Sequence, residues 1–108
     1  MTQPVFIYAT FPDTASARKT GRMLVENRLA ACVNILDGMV SVYRWDGEIA
    51  EDDEVVMIVK TRSDRVAAVT SAITDEHPYD EPAVVALPIV GGSDSFCRWI
   101  VEESNAQG

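Results

Sequence analysis

The chain has 108 residues, enough for one domain with a single modest core, and 1–108 reads as one unit. Hydrophobic residues make up 47% and charged residues 24%, the balance of an ordinary globular protein. A formal charge of −8 with no cluster of Lys and Arg argues against a nucleic-acid partner, because phosphate binding needs grouped cations.

Residues 5–10 (VFIYAT) are almost continuously apolar, as in a central strand covered on both faces. Asp13 is a good N-cap, and 14–27 has helical spacing with Ala17, Gly21, Leu24 and Arg28 roughly on one side. Gly21 costs such a helix about 1 kcal/mol against Ala, which close approach to a sheet would offset. A long extended segment, 32–45, follows, and a bulge or kink is expected at Asp37-Gly38. Its outer part alternates loosely, with Val40, Val42 and Arg44 on one face and Ser41, Tyr43 and Trp45 on the other.

Asp46-Gly47 suits a tight hairpin turn. The return strand starts acidic, with five carboxylates between Glu48 and Glu54, and becomes apolar from Val55 to Val59, ending at Lys60. Ser63 or Asp64 should cap a second helix, with Val66, Val69 and Ile73 at helical spacing. His77-Pro78 should end that helix, since proline disfavours helical geometry in the residue before it. A fourth strand is expected at 83–89 and a turn at Gly91-Gly92. A last helix then starts at Ser93 or Asp94, with Phe96, Trp99 and Ile100 pointing inward. The order β-α-β-β-α-β plus a terminal helix is an α+β, ferredoxin-like sandwich with the first and third strands central.

Two large aromatics at the tip of a long arm have little core of their own to enter, which points to burial against another chain. Five of these stretches also carry a resemblance. RLAACVN from Arg28, YRWDG from Tyr43, KTR from Lys60, HPY from His77 and ALPI from Ala86 resemble, in order, the CutA family of divalent-cation tolerance proteins. The resemblance implies a ferredoxin-like subunit assembled as a homotrimer similar to the PII signalling proteins, non-enzymatic, and linked to copper. Members credited with copper binding resemble one another in a first-strand cysteine and a His-His pair before Pro-Tyr. Here those positions hold Ala9 and Glu76, leaving His77.

His77 is the only histidine and therefore the one imidazole ligand, with Glu76 beside it. The expectation is copper or another divalent cation, weakly bound. The plainer alternative is a helix-ending residue whose cation favours the negative end of the dipole. A mixed set, Tyr43, Arg44, Trp45, Lys60, Tyr79 and Glu81, combines aromatic surfaces, cations and a carboxylate at strand ends and loops. It suits a small anionic ligand in a cleft between subunits, or plain interface packing. The acidic run reads as a solvated hairpin whose charges discourage edge pairing. Neither a confident Ser-His-Asp or Cys-His-Asn set nor a glycine-rich phosphate loop can be assembled, so no enzyme is expected. Cys32 and Cys97 form no CxxC pair, and both read as reduced thiols in a cytoplasmic protein without a membrane span.

Overall fold

The structure is a computed structural model that describes residues 2–105. Strand β1 (Pro4–Phe11) leads through Asp13 into helix α1 (Thr14–Glu26), and the Asp13 carboxylate accepts the Ser16 N–H at 2.7 Å. Strands β2 (Cys32–Trp45) and β3 (Glu48–Arg62) form the long hairpin. Helix α2 (Val66–Glu76), strand β4 (Val84–Pro88) and helix α3 (Asp94–Glu103) follow. The four strands make one antiparallel sheet in the order β2-β3-β1-β4, so the two most apolar strands are indeed central.

Alternation on β1 sends Val5, Ile7 and Ala9 to one face, where α1 and α2 cover them with Ala17, Leu24, Val69 and Ile73. Gly21 sits where α1 runs against β2 and β3. A Cβ there would come to 2.8 Å from Val33 Cγ2 and 3.2 Å from Met57 Sδ, which is the close approach the sequence called for. Arg28, expected on the buried side of α1, lies past its end in left-handed geometry (φ 56°). It closes a Schellman motif, with Leu29 N–H on the Leu24 carbonyl and Arg28 N–H on the Val25 carbonyl.

The hairpin turn is formed by Asp46 and Gly47, both at positive φ. The register slips between Leu36 and Met39, and Gly38 takes φ 84° there. Beyond that bulge the arm stands out from the body, giving extents of 44 × 26 × 22 Å. The radius of gyration, 14.4 Å, exceeds the roughly 13 Å of a compact chain this long.

Three expectations are corrected. Strand β3 runs past Lys60 to Arg62, because Thr61 and Arg62 pair with Val5 and Pro4. Neither Ser63 nor Asp64 caps α2. Ser63 is held by the backbone of Gln3 and Asp64 by the Arg62 guanidinium, and 63–65 form a 3-10 turn instead. In α3, capped by Ser93, only Ile100 of the three expected residues is buried. Phe96 and Trp99 stay 43% and 38% exposed and stack on each other at 5.6 Å. No helix among the described residues is long and apolar enough to cross a membrane.

Candidate functional site

The end of α2 decides where the imidazole goes. Pro78 pushes His77 into extended geometry (φ −79°, ψ 137°), and the side chain turns inward onto the end of β1. The ring is buried, stacked on Phe11 at 4.6 Å and tilted against Tyr79 at 4.8 Å. Its Nε2 lies 2.5 Å from the Thr10 carbonyl oxygen. A carbonyl only accepts, so Nε2 carries the proton and donates. Bare Nδ1 then accepts the Tyr79 N–H at 3.1 Å. Both nitrogens are committed within the chain, in the neutral tautomer.

The neighbours implied as ligands do not complete a metal centre. Ala9 is a fully buried methyl, and the exposed Glu76 carboxylate lies 3.8 Å from Lys19 Nζ. Among the described residues no group of three or more His, Cys, Asp or Glu side chains converges on one point. The donors therefore do not fit a pre-built copper site, since a metal at either imidazole nitrogen must displace a hydrogen bond.

The mixed set divides into two groups. Along the arm the Tyr43 hydroxyl donates to Asp52, and at its root the Tyr79 hydroxyl donates to Glu54 Oε2 at 3.1 Å. Burial, then the Glu54 charge, pushes the Tyr79 phenol up to about 12, and the hydrogen bond to Asp52 raises that of Tyr43. Arg44 and Trp45 lie exposed at the arm tip, with Trp45 55% open.

Lys60 lies elsewhere, in a cross-strand row Cys32–Lys60–Phe6–Leu87 on the sheet face away from α1 and α2. Its ammonium sits 5.8 Å from the Phe6 ring and 5.2 Å from the Phe96 ring, which places the start of α3 on that face. Lys60 lies six positions along β3 from Glu54, roughly 20 Å. Glu81 is exposed and forms no ion pair with Lys60 among the described residues.

The acidic run supplied two partners that sequence reading passed over, Asp52 and Glu54. A signal for one existed. A two-residue turn at 46–47 sets Trp45 opposite Glu48, hence Tyr43 opposite Ala50 and diagonal to Asp52. The Thr10 carbonyl had no such signal, because it is a backbone group brought to His77 only by the tertiary fold.

The family model of the CutA1 divalent ion tolerance protein matches residues 5–103. A divalent-cation tolerance protein CutA of Thermus thermophilus is 41% identical over 98 residues, 91% of this chain and 95% of that one. The chloroplastic protein CutA of Arabidopsis thaliana is 41% identical over 89% of this chain, which spans only 53% of that protein's length. A crystal structure of CutA from Xylella fastidiosa superposes with a TM-score of 0.92 at 37% identity, covering 95% of this chain and 99% of that one. Sequence motifs, sheet order and these matches agree: the chain belongs to the CutA1 family of divalent ion tolerance proteins.

Proposed function

We propose that this chain serves divalent-cation tolerance as a non-enzymatic, cytoplasmic homotrimer that meets copper or another divalent cation weakly, through His77 with Glu76 beside it. Family membership supplies the divalent-cation role. The observation that carries the weak-binding reading is the commitment of both imidazole nitrogens, to Thr10 and to Tyr79. Cu(II) favours several nitrogen donors in a tetragonal arrangement, and one imidazole that must first break a hydrogen bond supplies little of that. Assembly is supported by the exposed apolar side chains of the arm, Val40, Val42, Trp45 and Ile49, together with Val85 and Leu87 of the edge strand β4. Large apolar side chains exposed along an arm and on a sheet edge suit association with further copies.

Calorimetry with Cu(II) at pH 7 tests the reading. The expected dissociation constant is about 10 μM or weaker, roughly −7 kcal/mol or less in magnitude. The His77→Ala variant is expected to lose most of the isotherm. Tight, stoichiometric copper retained by that variant refutes the proposal and points to Cys32 or Cys97.

A second reading rests on Lys60. Its ammonium is held over two rings with no carboxylate in ion-pair contact among the described residues. A cleft between copies that brought Lys60 of one subunit to Tyr43 or Tyr79 of the next would suit a small anionic ligand, as in a PII-like effector protein.

A further inference from the structure

The loop between α2 and β4 has few anchors of its own. Pro78, Asp80 and Glu81 are exposed, and between residues 77 and 82 only His77 is buried, with Tyr79 and Pro82 partly so. Those two side chains form a continuous run of contacts from the sheet to the arm. His77 Nε2–H donates to Thr10 on β1, Nδ1 accepts the Tyr79 N–H, and the Tyr79 hydroxyl donates to Glu54 on β3. Glu54 has a particular position. It stands opposite Met39, the first pair beyond the bulge at which the arm leaves the body of the sheet.

We propose that His77 is a positioning residue, the pin of a latch that fastens the 77–82 loop to β1 and, through the Tyr79 phenol, clamps the hinge of the arm at Glu54. Each link has its own physical basis. The imidazole holds two partners at once only in the neutral Nε2–H form, because the Thr10 oxygen needs a donor and the Tyr79 N–H needs an acceptor. Stacking on Phe11 sets the ring plane, so both hydrogen bonds are aimed by the core. The phenol donates to an ionised carboxylate, the stronger class of hydrogen bond. The hinge needs such a clamp because the ladder is interrupted between Leu36 and Met39 and Gly38 there has the wide conformational freedom of glycine. Loop and hinge therefore open together. Tyr79, a member of the candidate ligand set, is placed by the imidazole through its backbone N–H. This goes beyond the copper reading: the latch belongs to the metal-free chain, and a metal at either nitrogen would open it.

Amide hydrogen exchange on the full chain tests the latch, with two variants that remove different links. His77→Phe keeps a ring on Phe11 and removes both nitrogens. Tyr79→Phe keeps the ring and removes only the phenol. In His77→Phe the Tyr79 amide and the hinge amides at 38–40 and 53–55 are expected to exchange about tenfold faster, the scale of one lost hydrogen bond. In Tyr79→Phe the hinge amides are expected to speed up by a similar factor while the Tyr79 amide stays protected. The double variant is expected to loosen the hinge no further than His77→Phe alone. Hinge exchange unchanged in Tyr79→Phe overturns the proposal, and so do additive effects in the double variant. If His77→Phe unfolds the whole chain, Tyr79→Phe alone decides, because its hinge amides must move while the β1 amides do not. Nitrogen-15 NMR of the wild-type imidazole supplies a readout that packing alone would not move: a proton on Nδ1 with Nε2 bare overturns the assignment.

Discussion

Gly21→Ala is expected to destabilise the protein, although the change raises helix propensity. Alanine is favoured over glycine in a helix interior by about 1 kcal/mol. The new methyl, however, would lie 2.8 Å from Val33 Cγ2 and 3.2 Å from Met57 Sδ. Carbon pairs prefer about 3.5–4.0 Å, so the first contact forces movement. Met57 ends in a flexible thioether that can swing. Val33 is β-branched on a strand, with a restricted χ1, so relief there requires β2 or α1 to shift. Overpacking of this sort costs about 1–3 kcal/mol, leaving a net loss of about 1 kcal/mol after the propensity gain. The loss corresponds to about 4 °C in Tm for a domain of this size. Chemical denaturation of wild type, Gly21→Ala, Val33→Ala and the double variant, at one protein concentration, isolates the clash. Truncating Val33 removes Cγ2, and Gly21→Ala in that background is expected to turn stabilising by about 1 kcal/mol. If Gly21→Ala stabilises the wild type by that amount, or the two changes simply add, the packing argument fails.

Light scattering at low micromolar concentration should give about three times the 11.8 kDa chain mass, and Trp45→Ala should make Tm depend on protein concentration, as linked association requires. Trp99→Ala should instead cost a concentration-independent 1–2 kcal/mol or so, less than the roughly 3–5 of a core indole, because Trp99 stacks on Phe96 outside the main core. Tyr79 gives an alkaline signature. Its folded-state value, about 12, lies above the ordinary 10.0, so its contribution is complete below about pH 10 and is lost as pH rises towards 12. Stability measured across that window should fall in the wild type and fall less in Tyr79→Phe; equal slopes would show that the phenol is not so placed.

Much of the fold was legible because several levels of the sequence agree. The apolar runs of β1 and β3 marked the central strands, Asp46-Gly47 fixed a hairpin, and Gly21 in an otherwise good helix marked a close contact. What failed did so for identifiable reasons. Helical spacing puts Phe96, Trp99 and Ile100 on one broad side but cannot say which of them is buried, and only Ile100 is. Ser63 and Asp64 are good capping types, yet Gln3, from the segment before β1, took the first and Arg62, at the end of β3, took the second. The mixed ligand set was chosen by residue chemistry, and chemistry alone does not reveal that Lys60 lies over Phe6 and Phe96, away from the carboxylates that hold Tyr43 and Tyr79. The partners of His77 had no signal to read, because a backbone carbonyl and a backbone N–H leave no signature in sequence.

The acidic run on β3 shows how one stretch can hold two kinds of residue. Strand alternation sends Asp52 and Glu54 to one side and Glu51 and Asp53 to the other. Asp52 and Glu54 meet phenols, while no ion pair engages Glu51 or Asp53 among the described residues. A phenol facing a carboxylate must keep its proton to be attractive; burial and then the Glu54 charge hold it on Tyr79, and the hydrogen bond to Asp52 holds it on Tyr43. The pairing is thus self-maintaining across the neutral range, where Tyr43 and Tyr79 are donors and Asp52 and Glu54 acceptors. Lysines in place of the tyrosines would offer stronger charges but longer, more mobile stems, and holding those stems costs more side-chain entropy. A tyrosine ring has two χ angles and packs on its neighbours, so it delivers a directed donor at low entropic cost. Directed donors are what a bulged hinge needs: β2 and β3 must part from the regular ladder there without coming loose.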